Sequence, residues 1–227
     1  MNADNQLTLD FEHRTALSGE DFLVADCNRE AISWIDIWPK WPTPALIIFG
    51  PAGSGKSHLA AVFSAYSGAK KITANEFDCA ASNVVSDLII EDVDGILSSD
   101  QEEALLHVYN AVKEASHRVL ITATAPPTRW GITLPDLRSR MNSAISVEIG
   151  PPEDSLIVAL LVKIFADRQV QVSSEVIIYA ASRMERSFLA VQQIVENADR
   201  MALASKKKIT VTLMKQVLKN LDCSSEK

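Results

Sequence analysis

A phosphate-binding pattern constrains this chain more than any other feature of its sequence. Gly50-Pro51-Ala52-Gly53-Ser54-Gly55-Lys56-Ser57 fits G-x-x-x-x-G-K-[ST] at every defined position. An apolar run, Ala45–Phe49, precedes it, and an amphipathic stretch, Ser57–Ser67, follows it. A strand before the loop and a helix after it separate a functional loop from a merely glycine-rich turn, which would not explain the Lys-Ser pair. The pattern predicts a loop that binds nucleotide phosphates.

Each part of this loop has a predicted role in holding a nucleotide. The glycines let backbone N–H groups turn toward the phosphates, and the positive end of the following helix adds to the attraction. Lys56 is expected to reach the β- and γ-phosphates, and the Ser57 hydroxyl is expected to coordinate Mg²⁺. The predicted cofactors are therefore ADP or ATP with Mg²⁺.

An acidic pair follows a second apolar run and completes the predicted metal site. Leu88–Ile90 is followed directly by Glu91 and Asp92. A nucleotide-bound Mg²⁺ needs a carboxylate at the end of a neighbouring strand. We expect Glu91 to face the metal and Asp92 to polarise water, although the phase of the pair is open and either residue could be a surface charge at a strand end.

The alternation of apolar runs and amphipathic stretches predicts the fold. A parallel sheet of five strands with helices on both faces is expected first, and a small helical domain is expected after Gly150-Pro151-Pro152, where the strand-like runs stop. Asn28 is expected to cap a first helix that ends before Pro39. The predicted domains are an arm at 1–20, an α/β domain at 21–150, a helical domain at 151–222 and a tail at 223–227. The predicted strands are Ala45–Phe49, Lys71–Thr73, Leu88–Ile90, Val119–Thr122 and Ile145–Ile149, and the predicted helices are Ser57–Ser67, Gln101–Ser116, Glu153–Asp167, Ser174–Met184, Ser187–Ser205 and Thr210–Leu221.

Charge and composition narrow the function classes. The net charge of −7 argues against bulk electrostatic capture of nucleic acid or of an anionic membrane. Lys206-Lys207-Lys208 could contact DNA phosphates or could be a solvated helix end. No apolar stretch approaches the roughly 20 residues that cross a bilayer, and the first residues lack the pattern of a signal peptide. We therefore expect a cytoplasmic protein with no membrane contact and at most weak or indirect contact with DNA.

With the loop, the acidic pair and the helical tail in place, the chain resembles the AAA+ ATPases, and within them the replication initiator DnaA and its relatives. The run Gly55–Leu59 is similar to the DnaA-type end of the loop, and Val119–Pro127 is similar to the strand and sensor-1 segment of that family. The resemblance places Thr124 at the sensor-1 position. Val24 and Asn28 lie where the family lines its adenine pocket, although core packing explains Val24 equally well.

Two arginines acquire roles from the same resemblance. Leu134–Met141 is similar to the segment that carries the family's arginine finger, with Arg140 at the finger position and Arg138 as a nearby competitor. Met184–Phe188 resembles the sensor-2 segment, which implies that Arg186 contacts nucleotide phosphate from the helical domain. Arg183 is the alternative to Arg186.

The two ends of the chain favour a regulator of DnaA over an initiator. No segment resembling a DNA-reading helix-turn-helix follows Leu221. Gln6, Leu7, Leu9 and Phe11 resemble the short peptide that docks proteins on the bacterial sliding clamp, although the same residues could form an ordinary first strand. The combination is similar to the regulatory inactivators of DnaA. That resemblance implies an ADP-bound factor, held on the clamp (the β subunit of DNA polymerase III), that offers Arg140 in trans and stimulates ATP hydrolysis by DnaA.

Two other functions are compatible with a phosphate-binding loop of this kind. An autonomous AAA+ ATPase, such as a helicase loader or a DNA-remodelling factor, would hydrolyse its own ATP in a homo-oligomer. A metabolic P-loop kinase would need an acceptor site and would leave the helical tail unexplained.

Overall fold

The computed structural model describes residues 13–15, 21–205 and 207–225, with side chains described over 23–205 and 207–221. The chain forms two compact units, His13–Gly150 and the residues from Pro151 onward. Each unit has its own hydrophobic core.

The first unit is an α/β domain. Its strands are β1 His13–Thr15, β2 Asp21–Leu23, β3 Ala45–Phe49, β4 Lys70–Ile72, β5 Leu88–Ile90, β6 Val119–Ala123 and β7 Ile145–Glu148. Its helices are α1 Asp26–Asp36, α2 Lys56–Ser67, α3 Phe77–Ser82, α4 Ser99–Glu114 and α5 Pro135–Ser143, with short 3₁₀ turns at Ala74–Glu76, Val93–Gly95 and Pro127–Arg129.

Five of these strands form one parallel sheet in the order β4-β5-β6-β3-β7. The inner strand β3 alternates its side chains between two cores, and Ala45, Leu46, Ile47 and Ile48 are all 0% exposed. Ala45 and Ile47 pack on the side of α4 and α5, whereas Leu46 and Ile48 pack on the side of α1 and α2. Helices on both faces explain why this strand is apolar without a break. The predicted fold class is confirmed.

The remaining two strands were not predicted. β1 pairs antiparallel with β2, so residues 13–15, which the sequence assigned to the arm, belong to a two-stranded ribbon. His13-Arg14-Thr15 has no apolar alternation that would mark it as a strand, and its pairing with Asp21–Leu23 is what makes it one.

The prediction that Asn28 is the N-cap of α1 is wrong. The helix begins at Asp26 with Ala25 at the N-cap, so Asn28 lies inside the first turn. Its side-chain oxygen accepts a hydrogen bond from the Ala25 N–H at 2.9 Å. An amide side chain at the third helical position, as well as one at the N-cap itself, can therefore accept a hydrogen bond from a backbone N–H at the start of a helix.

In the described residues from Pro151 onward, the second unit has four helices. They are α6 Asp154–Asp167, α7 Ser174–Ala181, α8 Phe188–Ser205 and α9 Val211–Ser225. Its core includes Leu161, Phe165, Ile177 and Val195, each at most 2% exposed. The predicted helices are present, but α7 ends three residues before the predicted Met184, and Arg183 and Met184 follow it outside the helix. Within the described part of the chain, no helix has the length and apolar character needed to cross a bilayer.

Candidate nucleotide-binding site

The predicted phosphate loop connects β3 to α2 at the carboxyl edge of the sheet. Gly50 N–H donates to the Ala123 carbonyl at 3.2 Å, and Ile149 N–H donates to the Phe49 carbonyl at 2.8 Å. A Cβ on Gly50 would lie 2.4 Å from the Ile149 carbonyl oxygen, which is backbone and cannot swing away. The first glycine is therefore required because the loop leaves the sheet between the ends of two neighbouring strands.

Lys56 lies at the centre of this loop. It is the first residue of α2 and is only 6% exposed. Its ammonium group donates to the carbonyl oxygens of Gly50 at 2.8 Å and Pro51 at 2.9 Å. Burial lowers the pKa of Lys56, and the carboxylates of Asp92 and Asp94 oppose that shift only in part. A buried cation beside loop carbonyls has little solvation of its own, which favours an exchange of these contacts for phosphate oxygens.

The other loop residues fit a polyphosphate with a bound metal ion. The Ser54 hydroxyl is buried and has no hydrogen-bond partner among the described residues. Such an orphaned polar atom in a native structure calls for a ligand or ordered water. Gly53 and Gly55 adopt φ values of 72° and 93°, which turn the loop around the start of α2. Ser57 is exposed on the first turn of that helix.

Glu91 and Asp92, the acidic pair after β5, make different contacts. The Glu91 carboxylate lies 3.1 Å from the Lys71 ammonium group on β4, and it is 17% exposed. Asp92 has a left-handed backbone, φ 51°, and its N–H donates to the buried Thr122 hydroxyl at 3.0 Å. The negative charge of Asp92, and not that of Glu91, contributes to the pKa of Lys56, which it raises. The metal role of Glu91 stays a prediction, and its carboxylate is paired with Lys71.

Asp94 is a site residue that the sequence reading missed. Its carboxylate accepts hydrogen bonds from the N–H groups of Thr124, at 2.9 Å, and Ala125, at 3.1 Å. The Thr124 hydroxyl also donates to it. The predicted sensor-1 side chain is therefore held by Asp94. The signal was present as three acidic residues among the four that follow β5, Glu91-Asp92-Val93-Asp94.

The residues predicted to line an adenine pocket are tied into α1 and the core. Val24 is 8% exposed and packs in the core on the α2 side of the sheet. Asn28 is 2% exposed, and its amide N–H donates to the Leu23 carbonyl at 3.0 Å while its oxygen accepts from Ala25. Both ends of the Asn28 amide are used by the fold, and an adenine contact from either residue stays a prediction.

The two candidate finger arginines lie on α5 in different settings. Both side chains are exposed. Arg140 lies over the ring of Tyr109, with its guanidinium carbon 5.9 Å from the ring centroid. Burial raises the pKa of Tyr109, and the Arg140 charge opposes that shift. Arg138 has no side-chain partner within the described residues, so only Arg140 has a contact that restrains its direction.

The two candidate sensor-2 arginines also differ in their partners. Arg186 makes a two-pronged ion pair with Asp154, with its Nε and Nη2 atoms 2.6 and 2.9 Å from the carboxylate oxygens. These hydrogen bonds lower the pKa of Asp154 and raise that of Arg186. Arg183 stacks on Tyr179, 4.1 Å from the ring centroid, and donates to the Ser182 hydroxyl at 2.9 Å. Both line a cavity of about 630 Å³ in the second unit.

Two predicted features lie outside the described residues. They are the clamp-binding peptide, with Gln6, Leu7, Leu9 and Phe11, and the first lysine of the Lys206–Lys208 run. Their roles stay predictions.

Comparison with known proteins identifies relatives of both units. The family model for the lid domain of Hda matches residues 154–218. The chromosomal replication initiator protein DnaA of Campylobacter jejuni subsp. jejuni serotype O:6 is 26% identical over 228 residues, covering 88% of this chain and 52% of that protein. The chain therefore spans about half the length of the curated relatives it matches.

Solved structures of DnaA share the fold. Domain III of the Thermotoga maritima replication initiation protein DnaA has a TM-score of 0.77 at 17% identity, covering 88% of this chain and 94% of that one. AMPPCP-bound DnaA from Aquifex aeolicus has a TM-score of 0.65 at 17% identity, covering 77% of this chain and 62% of that one. Taken together, these comparisons show that the chain has the fold of DnaA domain III, that its sequence is similar to DnaA over 88% of its length, and that residues 154–218 match the family model for the Hda lid domain.

Proposed function

We propose that this protein is a nucleotide-binding regulator of replication initiation that inactivates DnaA by stimulating its ATP hydrolysis. The observation that carries the proposal is the match of residues 154–218 to the lid of Hda in a chain that otherwise resembles DnaA. The exposed Arg140, restrained on a buried aromatic ring, supports it.

The nucleotide of the regulator itself is held by the loop between β3 and α2. Lys56 and Ser54 are the side chains whose buried polar atoms suit phosphate oxygens. Ser57 and one carboxylate from the acidic segment after β5 would hold Mg²⁺. Bound Mg²⁺ would neutralise charge on the β- and γ-phosphates. The similarity to AMPPCP-bound DnaA supports an adenine nucleotide, and we propose ADP as the working ligand with Arg186 as its contact from the lid.

Arg140 acts on the nucleotide of DnaA. An arginine presented across a subunit boundary stabilises charge that develops on the transferring phosphoryl group, and such a finger is worth about 10³–10⁵ in rate. A guanidinium suits this task because it keeps its charge and presents a planar set of donors. The contact with the Tyr109 ring would restrict the side chain before it meets its target.

The sliding clamp brings the regulator to DNA-bound DnaA in this proposal. Leu7, Leu9 and Phe11 would occupy apolar pockets of the clamp, and the Gln6 amide would set the register by hydrogen bonds. Contact with DNA is then indirect, which suits a net charge of −7.

The decisive experiment follows ADP production from purified ATP-bound DnaA with clamp loaded on DNA. The wild-type protein is expected to accelerate hydrolysis, and the Arg140→Ala variant to lose the acceleration while it still binds the clamp. Arg138→Ala is the matched control, since it removes the same charge from the same helix, and it should keep most of the activity. Full stimulation by Arg140→Ala would refute the proposed mechanism.

A clamp pull-down tests the docking peptide separately. The double variant Gln6→Ala with Phe11→Ala should lose capture by the clamp and should keep nucleotide binding. Undiminished capture would rule out this peptide as the docking element. Strong ATP hydrolysis by the protein alone, without DnaA, would favour the autonomous ATPase instead.

A further inference from the structure

We propose that Glu102 is a positioning residue for the arginine finger: it holds the N-terminal end of α5 and so sets the direction in which Arg140 points. The inference rests on the proposed function, because it concerns the helix that presents Arg140. Glu102 belongs to no motif in the sequence and is not part of the phosphate loop, the acidic segment or the sensor positions.

The carboxylate of Glu102 accepts hydrogen bonds from two neighbouring residues, Thr133 and Leu134. The residue lies in the first turns of α4 and is 6% exposed. Its Oε2 atom accepts hydrogen bonds from the Leu134 N–H at 2.7 Å and from the Thr133 hydroxyl at 2.9 Å. The Thr133 N–H lies 3.0 and 3.1 Å from its two oxygens. A buried carboxylate with this many donors is stabilised in its charged form.

Helix α5 needs this external acceptor because its own sequence supplies none. The helix begins at Pro135, and the N-cap position is Leu134, whose side chain makes no capping hydrogen bond. Helices without a capping side chain leave N–H groups unsatisfied at their first turn, and a negative charge there is favourable. Glu102, from a neighbouring helix, accepts hydrogen bonds from the N–H groups of Thr133 and Leu134, the two residues that lead into α5, and brings a negative charge to this end of the helix. The entry of α5 is therefore fixed by α4 and not by its own capping residue.

The same helix also contacts the far end of α5. Tyr109 follows Glu102 by seven residues, two helical turns later on the same face of α4. Its ring lies beneath Arg140. Between these two contacts, Leu137 and Met141 of α5 are 0% exposed. Glu102 holds the start of α5, buried apolar residues hold its middle, and Tyr109 contacts it near its end. The helix therefore has one rotational setting, and this setting gives Arg140 one direction.

The electrostatics agree with this role. Burial alone would raise the pKa of Glu102, but the hydrogen bonds from Thr133 and Leu134 outweigh it and hold the pKa below its usual range. The hydrogen bonds therefore favour the charged form of the group. An uncharged or shorter side chain at this position would leave the Thr133 and Leu134 N–H groups without a charged acceptor.

The test compares Glu102→Ala and Glu102→Gln with the control Glu103→Ala. Glu103 is the next residue of α4 and is exposed, so the control removes the same charge without touching α5. Two readouts are needed: the stimulated rate of DnaA at saturating concentrations of the variant, and amide hydrogen exchange at Thr133 and Leu134 in the protein alone. Circular dichroism confirms that each variant is folded.

For Glu102→Ala we expect a stimulated kcat about 10–100-fold below that of the wild type, with the half-saturating concentration unchanged, because a misdirected catalytic group lowers the rate and not the binding. Amide exchange at Thr133 and Leu134 should accelerate at least about tenfold. Glu102→Gln, which keeps one oxygen acceptor, should lie between the wild type and Glu102→Ala in both readouts. Glu103→Ala should match the wild type.

The outcomes separate the two proposals. A wild-type protein that fails to stimulate DnaA refutes the proposed function itself. If the wild type stimulates and Arg140→Ala does not, a fully active Glu102→Ala or unchanged exchange at Thr133 and Leu134 overturns the role of Glu102 alone. If Glu102→Ala fails to fold, the folded Glu102→Gln variant decides: a lower kcat supports the inference, and a wild-type kcat overturns it.

Discussion

At the scale of single residues, the first unit holds three charged side chains against backbone groups that form hydrogen bonds with them. Lys56 is buried against the carbonyl groups of Gly50 and Pro51. Glu102 is buried against N–H groups. Asp94 binds the backbone of Thr124 and Ala125. Each group is fixed by contacts that a change of side chain would leave unsatisfied.

Removing the Lys56 charge should abolish most nucleotide binding. For Lys56→Ala we expect affinity for Mg·ADP to fall at least about tenfold, since the variant loses a charge-assisted contact to phosphate. Isothermal titration calorimetry measures the difference. The control is Lys40→Ala, which removes the same charge from an exposed position. Equal affinities for Lys56→Ala and the wild type would contradict the assignment of the loop.

The stability contributed by Glu102 should depend on pH in one direction. Its pKa in the folded protein lies below the ordinary value of 4.5, so its contribution is complete above about pH 4.5 and is lost as the pH falls through the lower, folded-state pKa. Urea unfolding of the wild type and Glu102→Gln at several pH values should show a difference in the free energy of unfolding that is constant near pH 6–7 and shrinks toward pH 3. A difference that grows on acidification would contradict the predicted shift.

At the scale of elements, the carboxyl edge of the parallel sheet assembles the site. The ends of β3, β5 and β6 deliver the phosphate loop, the acidic segment and the Thr124 segment to one edge. Beyond this edge, the Trp130 indole N–H donates to the Ala125 carbonyl at 2.7 Å, in the connection that leads to α5. The loop between β3 and α2 and the helix α5 are thus linked through short segments that follow adjacent strands, as expected for open α/β sheets.

The close approach of the phosphate loop to β7 predicts a sharp difference between two glycines. Gly50→Ala would place a methyl group 2.4 Å from the Ile149 carbonyl oxygen, so the loop must shift. We expect a free energy of unfolding lower by about 1–3 kcal/mol and weaker nucleotide binding. Gly95→Ala is the control, because a Cβ there meets nothing within 4 Å. Chemical denaturation of both variants checks the prediction, and equal stabilities would contradict it.

At the scale of the whole molecule, the chain consists of an α/β unit and a helical unit, each with its own packed interior. The helical unit, called the lid below, matches the family model for the Hda lid domain over residues 154–218. The lid core is made by residues of α6 to α9 and by Ile209 between the last two helices. A change in that core should therefore act first on the lid.

Phe165→Ala tests the separate stability of the lid. Phe165 is 2% exposed in the lid core, and truncating a buried phenylalanine costs about 3–5 kcal/mol. Amide exchange measured by mass spectrometry should accelerate in α6–α9 and stay near wild type in β3 and β6. The control Val162→Ala changes a side chain that is 41% exposed on the same helix and should have little effect. Equal acceleration in both units would show that they unfold together.

Much of the fold followed from contiguous patterns. The phosphate loop, the strand and helix on either side of it, and the apolar runs of the sheet were predicted because each signal lies within a few neighbouring residues. The positions of Arg140 and Arg186 came from short family motifs. Element boundaries moved by a few residues, as at β4 and α7, because helix and strand ends depend on hydrogen bonds that the pattern does not encode.

The sequence by itself thus determined the parallel α/β domain followed by helices, and it placed the pattern of a phosphate-binding loop between a strand and a helix of that domain. Only the tertiary structure decided which polar groups meet. Asp94 and Thr124 are 30 residues apart, and Glu102 and Thr133 are 31 apart. Glu91 forms an ion pair with Lys71, and the charge of Asp92 raises the pKa of Lys56. The physical reason is that strand order, register and helix packing bring together residues from separate elements, and no local pattern specifies those distances.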